Sequence, residues 1–181
     1  MLARKLFPSA ALLGAAAAHS ARIKYMPLGD SITDINNCGD PAYDRGHEGH
    51  SGFLAVGIAN LRLLPGWLWA NPADVVTMHL GTNNIVHGNV QGTEILAAFT
   101  TLVGEMRERN PRMKIIGLNT TESPIWVVDQ HTGFSGVTDL RDGVYPNDSG
   151  DRKMAGVWFS ALVNAFKAAQ ADKGIKGCQI C

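Results

Sequence analysis

The sequence predicts an α/β fold of flavodoxin-like type, a three-layer α/β/α sandwich in which helices cover both faces of a parallel sheet. Three observations lead to this class. Short, almost continuously apolar segments alternate with segments of helical periodicity, and Gly-led polar turns follow the apolar segments. Strands buried on both faces lose the alternation of polar and apolar residues, as is typical of parallel sheets covered by helices. Strands that alternate with helices favour a single α/β domain.

Four short segments are rich in β-branched or aromatic residues, which predicts buried strands. They are Ile23–Leu28, Val75–Leu80, Met113–Leu118 and Ile125–Val128. Three segments are predicted as helices from their apolar pattern, and they are Phe53–Leu61, Ile95–Met106 and Met154–Ala165. Asn110-Pro111 ends the second helix, and Asn147 or Asp148 caps the third.

The composition is that of one soluble globular domain. Of the 181 residues, 45% are apolar and 18% are charged, and 16 Lys and Arg balance 16 Asp and Glu. A neutral chain without a long basic run lacks the charge that binds phosphate backbones or anionic membranes. We therefore expect neither a nucleic acid nor a membrane as a partner.

The first 20 residues have the pattern of a signal peptide. A basic start precedes an apolar stretch over Leu6–Ala18, and small residues follow it. The stretch is shorter than the roughly 20 residues that span a bilayer, and Pro8 interrupts it. We expect residues 1–20 to be removed, residues 21–181 to form the mature domain, and the protein to be secreted.

Three cysteines, Cys38, Cys178 and Cys181, cannot all pair within one chain. Cys178 and Cys181 form a C-x-x-C pair, but no second Cys or His pair stands at the spacing of a zinc site. No βαβ pattern surrounds the pair, which argues against a redox motif. We expect no metal.

Polar turns follow the first two predicted strands, at Gly29-Asp30-Ser31 and Gly81-Thr82-Asn83. Because the carboxyl ends of parallel strands meet at one edge of a sheet, both turns should face one crevice. Ser31, on a tight turn before a helix N-terminus, is a candidate nucleophile. Taken alone, this turn is better explained as an ordinary strand-to-helix turn with a serine cap.

Two further groups could stabilise negative charge beside Ser31. Asn83 offers a side-chain amide, although a loop asparagine often only stabilises its own turn. Gly49, within the polar cluster His47–Gly52, could bring its backbone N–H close to a substrate oxygen. By itself that cluster would equally suit a metal-site fragment or a solvated loop.

Taken in order, these motifs resemble those of the SGNH or GDSL hydrolase superfamily. The similar blocks are Tyr25–Thr33, Gly49 within His47–Gly52, Gly81–Asn84 and Asp142–Asp148. The His-Glu-Gly-His-Ser-Gly form of the second block resembles secreted members close to carbohydrate esterase family three, the acetylxylan esterases. Four ordered blocks, extending from Ile23 to about Phe166, are stronger evidence than any one motif.

The resemblance implies a role for five residues of an ester hydrolase. Ser31 would be the nucleophile, and its backbone N–H, the Gly49 N–H and the Asn83 side chain would form the oxyanion hole. Asp142 would orient the base. Tyr145 stands where the family has its catalytic histidine. The resemblance implies no cofactor, because the reaction needs only water and the ester.

The replacement of histidine by Tyr145 predicts impaired catalysis. An imidazole with a pKa of about 6.5 accepts a proton near neutral pH, whereas a phenol with a pKa of about 10 keeps its own. His47, His50 and His79 look like residues that the family carries beside its catalytic histidine. No argument places His87 or His131 near the serine, so rescue by another histidine is the less favoured alternative.

Two connections are short for a member of this superfamily. They are Thr33–Gly46 and Asn119–Pro124, and the second is shorter than the roughly 10 to 12 residues of a βαβ crossover. The fold is therefore predicted to be truncated. In the third block Asn84 replaces an aspartate, which removes a carboxylate from that loop.

The sequence thus predicts a secreted SGNH-type serine esterase, impaired by the loss of its histidine. Its expected partner is an acylated carbohydrate or a small ester, and acetyl esters of plant-wall carbohydrate follow from the resemblance alone. The alternative is an inactive carbohydrate-binding or vestigial protein of the same fold. Trp67 and Trp69 could stack on sugar rings, but filling the core or covering a helix end is the preferred role.

Overall fold

The computed structural model describes residues 22–34, 46–117 and 125–175. Its five-stranded sheet has the order β2-β1-β3-β4-β5, and every neighbouring pair is parallel. The strands are β1 (Tyr25–Gly29), β2 (Glu48–Gly49), β3 (Val75–His79), β4 (Lys114–Gly117) and β5 (Ile125–Val127). The four predicted strands are therefore confirmed, each within two residues at either end.

Helices lie on both faces of this sheet. They are α1 (Ala55–Asn60), α2 (Leu64–Ala70), α3 (Thr82–Val86), α4 (Gly92–Arg109) and α5 (Asp148–Asp172). The three predicted helices correspond to α1, α4 and α5. Of the two candidate caps for α5, Asn147 is the cap, because its side chain accepts hydrogen bonds from Ser149 N and Gly150 N.

Side-chain alternation along the strands divides the core between the two faces. Met26, Leu28 and Ile115 pack with α1, α2 and α4 in one cluster. Val75 and Ile116 face the other way and pack against the alanines of α5, such as Ala165. The predicted three-layer α/β/α sandwich with a parallel sheet is confirmed.

Three elements were not predicted, and each is too short to leave a periodic pattern. β2 has two residues and exists through its pairing with β1. α2 spans seven residues, with a proline in its first turn, and α3 spans five. A helix or strand of this length is stabilised by its neighbours rather than by local preference.

Several predictions concern residues outside the described part of the chain. These are the signal peptide, the three cysteines and the greater part of both short connections, so each stays a prediction. Residues 118–124 join β4 to β5, which pair in parallel with Ile115 opposite Ile125. Within the described residues, no helix is long and apolar enough to cross a membrane.

Candidate active site

Asp30 holds the turn that follows β1. Its Oδ1 accepts a hydrogen bond from Ile32 N at 3.1 Å. Its carbonyl accepts from Thr33 N at 3.0 Å and from Asp34 N at 2.9 Å. Ser31 lies within this turn and is half-buried. The turn therefore places Ser31 at the carboxyl edge of the sheet.

Gly49 packs directly against the same turn. Pairing of β2 with β1 sets Gly49 opposite Gly29. A Cβ on Gly49 would lie 2.6 Å from Asp34 N and 2.7 Å from the Thr33 carbonyl carbon, so a larger residue would displace the backbone. The Gly49 N–H donates to His47 Nδ1 at 3.1 Å. This predicted oxyanion donor is thus engaged within its own block.

The third block links the sheet edge to α1. Gly81 has a φ of 112°, a left-handed conformation that favours glycine, and α3 follows it. Asn83 is buried, and its Nδ2 donates to Phe53 O at 3.2 Å, which leaves a second amide hydrogen. Asn84 Oδ1 accepts the Ala55 N–H at 2.7 Å, at the first turn of α1. Asn84 therefore supports this segment through an oxygen that an aspartate would also supply.

Asp142 is fixed on the loop that precedes α5. Its Oδ1 accepts hydrogen bonds from Tyr145 N at 2.8 Å and Val144 N at 3.1 Å. These two backbone donors hold the pKa of Asp142 below its ordinary value. A backbone bridge between Leu140 and Pro146 closes the loop. Asp142 and Tyr145 are therefore held together on one short turn.

Asp139 clamps this loop to α5. Its Oδ2 accepts from Lys153 Nζ at 2.7 Å and from Ser135 N at 2.7 Å, and its Oδ1 accepts from Ser149 Oγ at 3.0 Å. The Lys153 hydrogen bond and the Ser135 N–H lower the pKa of Asp139. The position of Asp142 is thus tied to the first turns of the helix.

A cavity of about 250 Å³ opens between three of the four blocks. Each of these blocks contributes residues next to a predicted site residue: Ile32 follows Ser31, Thr82 precedes Asn83, and Gly143 and Val144 follow Asp142. His79 also lines the cavity. The second block reaches this region through the packing of Gly49 on the serine turn. The tertiary structure thus gathers all four motifs at one edge of the sheet.

The similarity to a known family covers most of the chain, including the segments that carry these motifs. Residues 28–176 match the GDSL-like lipase/acylhydrolase family. The chain belongs to this family. Its predicted resemblance to SGNH hydrolases is therefore confirmed, and this family supports the predicted class of carboxylic ester hydrolases. The roles of individual residues in this GDSL-like protein stay predictions.

Solved structures narrow the similarity to carbohydrate esterases. A carbohydrate esterase family 3 protein from Talaromyces cellulolyticus is 29% identical with a TM-score of 0.70. An acetyl esterase mutant crystallised with acetate ion is 28% identical with a TM-score of 0.69. Each comparison covers 81% of this chain and 99% of the other.

A curated relative of the GDSL-like protein is much longer. The multidomain esterase of Ruminococcus flavefaciens is 22% identical over an alignment that is 245 residues long with its gaps and covers 93% of this chain. The chain spans 32% of the length of that protein. The similarity therefore concerns one part of a larger esterase.

His79 is a site residue to which the sequence pattern assigned no role. It ends β3 opposite Gly29 and lines the cavity between the blocks. Burial lowers the pKa of His79, and the Asp30 carboxylate offsets part of this effect. Its ring lies edge-on to Trp158 with centroids 6.3 Å apart. Only the strand register, which brings β1 beside β3, identifies it.

The two tryptophans of α2 differ in their surroundings, and Trp67 has the core position that the sequence analysis preferred. Trp67 packs against the main core cluster and stacks on His50, with ring centroids 4.0 Å apart. Trp69 is 76% exposed, and the Arg109 guanidinium at the end of α4 lies 5.1 Å from its ring centroid. Within residues 22–34, 46–117 and 125–175, no three His, Cys, Asp or Glu side chains are grouped to hold a metal ion.

Proposed function

We propose that this protein is a secreted serine esterase that hydrolyses acetyl esters of carbohydrate, with its turnover reduced by the absence of histidine at position 145. The convergence of the first, third and fourth blocks on one cavity carries this proposal. A nucleophile, an amide donor and a carboxylate on three separate segments are the groups that acyl transfer requires.

Ser31 is the nucleophile in this mechanism. Its Oγ bonds to the ester carbonyl carbon while a base takes the hydroxyl proton, and the alcohol then leaves with a proton. Water attacks the resulting acyl-serine, which releases the carboxylic acid and restores Ser31. Each half-reaction passes through a negatively charged oxygen that needs fixed hydrogen-bond donors.

Three donors serve that oxygen: the backbone N–H groups of Ser31 and Gly49, and the second amide hydrogen of Asn83. The Gly49 N–H must turn away from His47 Nδ1 to reach a substrate, because it donates a hydrogen bond to that ring. Asn83 keeps its bond to Phe53 and donates its remaining hydrogen. The burial of Asn83 strengthens such a contact because little water competes for it.

The comparisons support the substrate class. The solved structures that are 28% and 29% identical are an acetyl esterase and a carbohydrate esterase family 3 protein. We therefore propose acetylated oligosaccharide rather than a long-chain lipid as the substrate.

Hydrolysis of a short aryl acetate and of an acetylated xylo-oligosaccharide tests this function. We expect turnover of both by the wild-type chain and its loss in Ser31→Ala, because no other group in the mechanism forms the acyl intermediate. Ser160→Ala, which changes an exposed serine on α5, is the matched control and should keep wild-type turnover. Equal rates for wild type and Ser31→Ala would contradict a working serine esterase.

Tyr145 favours one second candidate, a non-catalytic binder of acetylated carbohydrate. A phenol at the position of the base would leave the crevice intact while removing proton transfer. Calorimetric binding of the acetylated oligosaccharide, without any acetate release above that of Ser31→Ala, would select this candidate.

A further inference from the structure

His79 ends the strand beside the one that leads into the Ser31 turn. The β1–β3 register sets it opposite Gly29, two residues before the serine. A Cβ on Gly29 would lie 2.8 Å from the His79 carbonyl oxygen, so the two backbones are in close contact. His79 and Ile32, the residue after Ser31, line the same cavity. Gly143 and Val144, from the loop where the family carries its histidine, line it too.

The other histidines in the described part of the chain have different surroundings. His47 Nδ1 accepts the Gly49 N–H. His50 pairs with Glu48 at 3.0 Å and stacks on Trp67. His87 and His131 are exposed. Among described residues, His79 is the histidine that lines the cavity between the blocks.

The electrostatic surroundings suit a base at this position. Burial holds the pKa of His79 below 6.5, so its imidazole is neutral at neutral pH. Asp30 is 1% exposed, and its Oδ2 has no hydrogen-bond partner among the described residues. Because the charge of Asp30 acts on His79, it favours the imidazolium that forms when the base takes a proton. The Asp30 carboxylate therefore acts on the His79 imidazole through its charge.

We propose that His79 is the catalytic base of this site, in place of the histidine that is absent at position 145. The inference rests on the proposed esterase function. A ring nitrogen of His79 takes the Ser31 proton, directly or through one water, as Oγ bonds to the carbonyl carbon. It returns this proton to the departing alcohol oxygen. In the second half-reaction it takes a proton from the attacking water and returns it to Ser31 Oγ, so that ester and water give acid and alcohol.

A double-mutant cycle distinguishes this role from a structural one. His79→Gln should reduce the Ser31-dependent kcat/KM of the wild-type chain by about 10²-fold or more, the range for loss of a general base. In Tyr145→His, which restores a base on the other side of the cavity, the same substitution should change kcat/KM less than about fivefold, because removing a redundant base is not additive. An equal loss in both backgrounds, with both proteins folded by circular dichroism, would show a structural role and overturn the proposal.

The pH profile of the wild-type chain provides a readout that needs no variant. A base works in its neutral form, so kcat/KM should fall as the pH drops through an apparent pKa below 6.5. The other titratable groups that act on His79 or line a cavity with it are Asp30, Asp129 and His131. The pKa of Asp129 is lowered to about 2, and the pKa of Asp142, on the loop of Gly143 and Val144, is also lowered, so neither titrates in this range. An apparent pKa of 6.5 or higher for this fall in kcat/KM would overturn the proposal. This test remains available if His79→Gln fails to fold.

The same assays separate this inference from the proposed function. Turnover in Tyr145→His, with none in the wild type above Ser31→Ala, would overturn the role of His79 while the esterase site stands. No Ser31-dependent turnover in either protein would overturn both. His87→Gln, which changes an exposed histidine directly after α3, is the matched control and should leave the wild-type rate and profile unchanged.

Discussion

At the scale of single residues, position 145 lies on a loop whose backbone is fixed by Asp142. Asp142 Oδ1 is bonded to the backbone N–H of residue 145, an interaction that does not depend on the side chain there. The loop is also held by Asp139 and by the bridge between Leu140 and Pro146. A histidine at position 145 would therefore enter a loop that is already organised to orient it.

Tyr145→His should raise the Ser31-dependent kcat/KM at least about tenfold, since a general base in the family's position contributes about 10²–10⁴-fold and the wild type retains part of this through His79. The assay is aryl acetate hydrolysis with initial rates at pH 7.5. Tyr145→Phe is the control and should match the wild type, because the phenol takes no proton. A wild-type rate equal to that of Tyr145→His would refute impairment.

At the scale of elements, β1 and β2 each depend on a glycine where they pack against the turn that carries Ser31. Gly29 and Gly49 face each other across the β1–β2 pair, and each leaves less than 3 Å for a Cβ. The atoms that a Gly49 Cβ would meet belong to the backbone of the serine turn, which cannot move as a flexible side chain can. Packing of β2 therefore determines the shape of the turn that carries Ser31.

Gly49→Ala should lower the free energy of unfolding by about 1–3 kcal/mol, the range for an overpacked buried site. It should also reduce Ser31-dependent turnover, because the displaced turn moves the nucleophile. Urea denaturation and the acetate assay measure the two effects. Gly104→Ala is the control, since it lies in α4 with no atom within 4 Å of the added Cβ, and it should stabilise by about 0.5–1 kcal/mol.

At the scale of the whole molecule, α5 is both the cover of one sheet face and the support of the site. Its first turns hold Asp139, and its last turn pairs Asp172 with Lys114 of β4 at 2.6 Å. Lys173, just after the helix, pairs with Asp74 before β3, also at 2.6 Å. Ion pairs at one end and the loop clamp at the other thus join the site to the sheet.

Asp172→Asn should lower the free energy of unfolding by about 1–2 kcal/mol. This is less than the contribution of a fully buried hydrogen bond between charged groups, because the Asp172 side chain is 37% exposed. The hydrogen bond from Lys114 lowers the pKa of Asp172 below 3.8. This stabilisation is therefore complete above pH 3.8 and is lost as the pH falls through the lowered value.

Urea denaturation between pH 7 and pH 3 measures this pH dependence. The wild type should lose more stability toward pH 3 than Asp172→Asn does, because only the wild type carries this carboxylate. Glu108→Gln, which removes a distant and exposed partner of Arg62 at 3.9 Å, should change stability by less than about 0.5 kcal/mol. Parallel acid limbs for wild type and Asp172→Asn would show that the pair contributes nothing.

Local pattern was sufficient for the elements whose stabilisation lies in their own composition. The apolar runs at β1, β3, β4 and β5 marked strands buried on two faces, and the long periodic segments marked α4 and α5. Pattern was insufficient for β2, α2 and α3, because elements of two to seven residues are stabilised by the strand or helix beside them. For the site, the order of the motifs predicts Ser31 and Asp142 as site residues, but it does not predict which residues contact their turns.

The sequence by itself determined the fold class and the family, because each is recorded in local periodicity or in the order of short motifs, and it predicts that Tyr145 stands in place of the catalytic histidine. Only the tertiary structure decided that Gly49 N–H bonds to His47, that Asn84 supports α1, and that His79 lines the cavity beside the serine turn. The place of His79 depends on strand register, which sets it opposite Gly29, about 50 positions earlier in the chain. Register is set by how the whole core packs, so no segment of the sequence contains it.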